Sequence, residues 1–556
     1  MGQYIRWQVI LAVMGTVLLG AYLSTIGVAQ PTEVGSADDH HFYEGLIGNP
    51  QYLNPLLAGY NPIDQDIAAL IFEGLVRDDG FGNLEPVLAD NWTVSEDGRI
   101  YTFSLRRDVT WSDGRPFTSD DVFFTFQLIQ ADDFPGDPTW RALWQTVQME
   151  QLDPYQIRFQ LTEPFPAFPY YTTVGILPHH ILQTIPAGAL LTDPFNLQPI
   201  GTGPFKLTEA TDQYIRLAPN ERYRQTEAHL NPFEFRFYPT SEALFQAFQQ
   251  QEIDGISRAS LSLMQQLFER PDLQFFSAPL PRYEIVYFNL RDVDAYPFFQ
   301  DKAVRQALFQ AIDRQNLIDQ VLLGQAILAR GPFLPWSWAF NPNQNYVEFD
   351  PKQAGALLDQ AGWQDSDGDG IRDKDGTVLR FKLLTDNSPT RGAVATDLVR
   401  QWQALGIDVT VEGIDQNPAE RLTAGQFEAA LIEVQLFGDP DPYSFWHQTQ
   451  IEGGQNFAGW DNTEASEALE AGRMAVARGD RIKAYYQFQD LFAEEMPALI
   501  LYHPVSTYAV RDSVKNVQLS ALTSASDRFR NVLDWQIPAP TEDENATTAG
   551  EAIPGN

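Results

Sequence analysis

The chain has 556 residues, 44% hydrophobic and 13% aromatic, which is too long for one core and apolar enough to build at least two. Its formal net charge of −37 repels phosphate, so nucleic acid is not expected as a partner and anionic lipid is disfavoured. The absence of cysteine removes disulfides, thiolate chemistry, cysteine-ligated metals and a lipidated cysteine.

In chain order, Arg6 is the only early charge, and residues 7–30 carry none. Gly27-Val28-Ala29 offers small residues for signal cleavage after Ala29. The uncharged run also reaches the on the order of 20 residues needed to span a bilayer, so residues 1–29 read either as a signal peptide or as a retained anchor. Both readings place the body outside the cytoplasmic membrane. After a polar linker, the pattern predicts a strand over 42–47 and a helix over 62–75, with Ile67, Leu70, Ile71 and Leu75 on one face. Residues 76–200 are rich in turns and proline. Within them, Glu96-Asp97-Gly98 marks a turn, and Tyr101, Phe103 and Leu105 alternate with polar residues as in a half-buried strand. Asp113-Gly114 makes a second turn. Thr118 or Ser119 then caps a helix with Asp120 and Asp121 in its first turn.

Strands return over 201–295, with a helix over 241–251. An amphipathic helix is predicted over 301–324, with Val304, Leu308 and Ile312 in register. Asp350-Pro351 starts a further helix that runs to Gly362. A strand over 378–384, a helix over 391–405 stopped by Gly406, and a strand carrying Ile407, Val409 and Val411 follow. Helices over 464–478 and 480–495 complete an alternating α/β pattern. The tail 538–556 is acidic and expected to be disordered.

The string Leu88 to Phe126, followed by Gly201-Thr202-Gly203-Pro204-Phe205, Tyr283-Glu284-Ile285-Val286-Tyr287-Phe288-Asn289, Val304-Arg305-Gln306-Ala307-Leu308 and Gly438-Asp439-Pro440-Asp441-Pro442, resembles the bacterial extracellular solute-binding proteins of family 5. This is the peptide-, nickel- and opine-binding group that serves ABC importers. The resemblance implies an α/β, two-lobe periplasmic-binding-protein fold of type II (cluster C) with an extra subdomain and a hinge. It implies a discontinuous first lobe (30–75, 201–295, 505–537), the subdomain at 76–200, and a second lobe at 296–504. The crossings would fall near 283–289 and 500–504. It also implies a monomer that captures a small solute, most of all a short peptide, by hinge closure and passes it to an ABC permease.

Carried over position by position, the resemblance nominates Asp64, counted back from Phe72, and Arg421, Tyr502 and the strand 431–436 with Glu433, Val434 and Leu436. The strand backbone would pair with an extended ligand. Two positions that are aromatic in peptide binders hold Ile414 and Glu433. The aspartate that meets a peptide ammonium in such binders falls on Leu436, so Glu433, Asp439 or Asp64 must take that charge, or the ligand lacks a free amine. Asp365, Asp367, Asp369 and Asp373 are spaced as in a calcium loop, but Gly376 stands where a bidentate Glu is needed, so the loop reads as a structural hairpin. His40-His41 and His179-His180 are adjacent pairs whose side chains diverge, and His447 is a lone loop histidine, so no metal or other cofactor is expected. Nucleophile elbow, zinc-protease and phosphate-loop signatures are missing. An acidic secreted hydrolase is the enzyme alternative, and a membrane-tethered receptor or chaperone of the same fold is another.

Overall fold

The strand Ala498–Arg511 ties the molecule together. The computed structural model describes residues 41–225, 228–414 and 418–538. The N-terminal segment, His40 and the tail beyond residue 538 lie outside the described residues. Ala498–Arg511 sits in a mixed twelve-stranded sheet. Its first half pairs antiparallel with Arg282–Phe288 and Ala326–Leu328. Its second half pairs with Leu273–Pro279 and Gly255–Ile256. The chain therefore passes between two sheet halves twice, at 279–282 and at Pro504-Val505. Pro279, Pro281 and Pro504 cluster there, and each lacks the N–H that would knit the ladder across the crossing.

Beyond Gly255–Ile256 the sheet continues through Phe42–Ile47, Phe233–Tyr238, Tyr214–Pro219 and Phe205–Ala210, which make the first lobe. On the other side, Arg282–Phe288 pairs with Ala429–Gln435, and Arg380–Asp386 and Asp408–Ile414 add parallel strands. Alternate residues of Arg282–Phe288 feed two cores. Val286 and Phe288 pack with Leu308, Trp402 and Leu499, while Tyr283, Ile285 and Tyr287 pack with Trp446 and Phe488. A sheet with both faces covered reads as a near-continuous apolar run, and this strand does. Its pairing places it beside Ala429–Gln435 and Ala498–Arg511, on the far side of the crossing from Phe42–Ile47.

The inserted region 76–200 carries a separate antiparallel sheet in the order Ala89–Val94, Ile100–Leu105, Gln156–Gln160, Gln148–Asp153. Tyr101, Phe103 and Leu105 are buried and their neighbours are half-buried, as the alternation requires. The next helix, Ser119–Gln130, starts with a capping box between Thr118 and Asp121. Three helices differ from expectation, among them the one expected over 464–478, which spans Thr463–Met474. The helix expected over 62–75 ends at Ile71, after which Gly74 presses against the backbone of Thr173, where any Cβ would clash. The span 301–324 breaks into Lys302–Gln310, Arg314–Asn316 and Leu317–Val321. Asp313 causes the break, because its side chain accepts the N–H of Asn316 and starts a new helix. Arg314 is thereby buried against the carbonyls of Ala329 (2.7 Å) and Ile500 (3.3 Å). Among the described residues, no helix is long and apolar enough to cross a membrane.

Candidate ligand-binding cavity

A cavity of about 330 Å³ lies at the double crossing and is lined by both lobes. That is many times the roughly 10–15 Å³ that admits a single water. Strand register builds its second-lobe wall. Glu284 stands opposite Glu433 on one side and opposite Tyr502 on the other, so the three side chains share one face. Helix Pro389–Gln403 starts on the same wall. The Ser388 hydroxyl accepts the N–H of Arg391, and Ser388, Thr390 and Arg391 line the cavity. Nε of Arg391 donates to Glu284 at 2.5 Å, and the guanidinium also meets Asp386. Burial pushes the Glu284 carboxyl up to about 7, against the pull of Arg391. Arg282 donates to Glu433 at 3.1 Å. Tyr502 is only 4% exposed. Burial raises its phenol well above the ordinary value, and Glu284 adds to the effect.

The first-lobe wall is built around Arg258, whose backbone adopts the left-handed conformation at φ +53°. Its guanidinium forks onto both carboxylate oxygens of Asp66, with Nη2 to Oδ1 at 2.7 Å. Asp66 is itself gripped by Arg528 at 2.8 Å on each oxygen and by the Ser526 hydroxyl at 2.7 Å. Arg528 also binds Glu44 at 2.9 Å, and the Tyr508 hydroxyl donates to Glu44 at 2.7 Å. Glu44, Asp66 and Arg528 are all buried. Burial opposes the charge on Asp66, but Arg528 and Arg258 together outweigh it and hold the carboxyl below its usual range. Ser260 then caps helix Leu261–Phe268, whose first turn faces the cavity.

Of the residues nominated from sequence, Glu433 and Tyr502 line this cavity. Val434 does not, because strand alternation turns it to the opposite face, into the core with Tyr283 and Trp446. Leu436 packs on that same core while its N–H donates to Pro281. Asp439 is buried, held by Arg481 through two bonds of 2.5 and 2.8 Å, and does not line this cavity. Asp64 is buried at the start of its helix and accepts the N–H groups of Gln51 and Tyr52, each at 2.8 Å. Arg421 pairs with Glu412 at 2.6 Å and with the Gln426 carbonyl, away from the cavity. Ile414 is half-buried against the second-lobe core. Arg258, Asp66, Arg282, Glu284 and Arg391 were not nominated. The only sequence signal for any of them is the cap Ser388-Pro389, which starts a helix with Arg391 in its first turn.

The acidic loop folds on itself. Asp365 accepts Gly368 N–H (2.7 Å) and Gly370 N–H (3.1 Å), Asp367 accepts Asp369 N–H, and Asp369 accepts Ile371 N–H. Carboxylate oxygens of these three lie within 4.8 Å of one another and are exposed, while Asp373 bonds Ser366 instead. Among the described residues, no histidine lines the cavity. His180 bonds Asp113 at 2.7 Å, and His179 packs on Phe124. His41 bonds Tyr43, and His447 is buried between Thr449 and Glu470.

Two lobes joined by a double crossing, with a charged cavity at the crossing, define a hinged solute-binding protein. Residues 83–457 match the bacterial extracellular solute-binding proteins, family 5 Middle, and the chain belongs to that family. It is 28% identical over 500 residues to the Oligopeptide-binding protein AppA of Bacillus subtilis, covering 85% of this chain and 87% of that protein. It is 27% identical over 421 residues to the Nickel-binding periplasmic protein of Escherichia coli, covering 73% and 77%. The structure of AppA in complex with a nonapeptide is similar at a TM-score of 0.69 and 27% identity, covering 90% of this chain and 99% of that one. NikZ from Campylobacter jejuni in complex with Ni(L-His) is similar at 0.71 and 26%, with the same coverage. The fold is the type II periplasmic-binding-protein fold, and the family consists of extracytoplasmic solute-binding proteins rather than enzymes.

Proposed function

We propose that this protein captures a short peptide outside the cytoplasmic membrane and delivers it, unaltered, to an ABC permease. It works as a monomer, exported by residues 1–29 as a signal or an anchor, without a lipid tether and without a cofactor. The observation that carries the reading is that one cavity at the hinge presents ionic groups of both signs, Arg258 from the first lobe and Arg282, Glu284, Arg391 and Glu433 from the second. A peptide is a zwitterion, and each buried end needs a partner because an unpaired buried charge costs several kcal/mol. Glu433 supports the ammonium side. Its side chain is 30% exposed and held by a single 3.1 Å bond, whereas Asp64 and Asp439 are spoken for and Leu436 is apolar. Likeness to AppA supports a peptide over a nickel chelate, as does a cavity wall without histidine among the described residues.

The test is mass spectrometry of ligand carried through mild purification. The recovered ligand is then added back to stripped protein. Short peptides are expected, with a smaller radius of gyration in X-ray scattering and a higher melting temperature by mass action. Ligand recovered cleaved after prolonged incubation would favour the secreted hydrolase. Ligand that binds without closure would favour a receptor or chaperone.

A further inference from the structure

We propose that the captured solute carries an anionic group, and that this group is clamped between Arg258 of the first lobe and Arg391 with the Tyr502 hydroxyl of the second. The inference rests on the cavity being the solute site and names the chemistry that the solute must bring.

Tyr502 is the first reason. It is 96% buried, lines the cavity, and its hydroxyl makes no hydrogen bond among the described residues. The hydroxyl itself opens onto the cavity, so it is free to donate to an acceptor that a solute brings. The two arginines are the second reason. Each is braced from behind by carboxylates: Arg391 by Glu284 and Asp386, and Arg258 by Asp66, which Arg528 and Ser526 hold. Bracing fixes the guanidinium yet leaves donors over. Nη2 of Arg391 and Nε of Arg258 make no hydrogen bond among the described residues. An arginine has five N–H groups in a planar fork, so a braced one can still take an incoming carboxylate.

The backbone agrees with this polarity. Helices Leu261–Phe268 and Pro389–Gln403 both begin on the cavity, one from each lobe, behind Ser260 and Ser388. Their first-turn N–H groups and dipoles favour negative charge. The left-handed φ of Arg258 is adopted rarely by a side chain of this size, and it places the arginine on the wall between Asp66 and the cavity. The wall's carboxylates are each paired with an arginine: Glu433 with Arg282, and Glu284 and Asp386 with Arg391. An anion bridging Arg258 and Arg391 joins the two lobes, so the clamp also rewards closure.

Equilibrium dialysis of the full chain separates the possibilities. The probes are an equimolar tripeptide library with free carboxyl ends, the same library as carboxamides, and a panel of non-peptide dicarboxylates. They are offered to wild type, Arg258→Lys and Tyr502→Phe, the last removing one oxygen and leaving the packing. Expected is retention of free-carboxyl peptides, with amides about tenfold weaker or more, and a loss of similar size in each variant. Amides bound as well as acids, or acids bound equally by both variants, would overturn the clamp and leave peptide capture standing. Dicarboxylates retained in an Arg258- and Tyr502-dependent way, with peptides ignored, would keep the clamp and overturn peptide capture. Retention of none of the three probe sets would overturn both.

Discussion

His503 stands one residue before the crossing of Ala498–Arg511 and should make the fold acid-sensitive. It is buried, its Nδ1 lies 2.9 Å from the Arg282 carbonyl, and its Nε2 is buried with no acceptor. The rings of Trp336 and Tyr283 pack around it at 5.5 and 6.5 Å. Protonation would place a second N–H and a full charge in an apolar box. Burial accordingly lowers its pKa to about 4, against an ordinary value of 6.5. The unfolded chain therefore takes up a proton before the folded one does. The stability this neutral histidine confers is complete above the unfolded value and is lost as pH falls from 6.5 towards about 4. At 1.36 kcal/mol per pKa unit, the loss amounts to about 3 kcal/mol. Urea unfolding of wild type and His503→Phe across that window measures it. Glu284, Asp254 and Asp441 have carboxyls raised by burial to about 7, 6 and 6, and they titrate with the opposite sign. The difference between the two proteins cancels these shared contributions. The variant should lose about 1 kcal/mol near neutrality with the Arg282 hydrogen bond, then overtake wild type in acid. Parallel stability curves would refute the reasoning.

Arg528→Leu should destabilise the protein by about 3–5 kcal/mol in urea unfolding, because it strips buried Glu44 and Asp66 of their shared cation. A cost under about 1 kcal/mol would mean that the Arg528 network is not what stabilises the first lobe. Calcium titrated by calorimetry into chelator-treated protein should show no micromolar site, since Asp365, Asp367 and Asp369 already accept backbone N–H groups and Gly376 cannot close the shell. Micromolar binding lost in Asp367→Ala would overturn that view.

Local structure was legible because its causes are local. The alternation at Tyr101, Phe103 and Leu105, the cap at Thr118, the Asp350-Pro351 start and the Gly406 stop each act within a few residues, and each appears where its pattern falls. The cavity was only half legible, for geometric reasons. Glu433 and Val434 are neighbours on one strand and cannot both face one cavity. Counting back from Phe72 selected Asp64, but two residues along helix Pro62–Ile71 is a rotation of roughly 200°. That step separates an acid that satisfies its own loop from Asp66, which braces Arg258. Asp439 looked available because its partner Arg481 lies 42 residues away.

These misses share a cause that composition makes explicit. Asp and Glu number 74 against 37 Lys and Arg, so an acid in a promising position is an ordinary event in this chain. A desolvated carboxylate needs partners, either backbone N–H groups, as at Asp64, or a cation, and cations are the scarcer. A buried acid held by an arginine is read through that arginine. Arg481 takes Asp439 out of play, and Arg528 anchors Asp66. Arg258 and Arg391 use carboxylates as braces while remaining on the cavity wall. In so acidic a chain, the arginines mark where charge has been deliberately brought inside, and following them from the core outward leads to the cavity at the hinge.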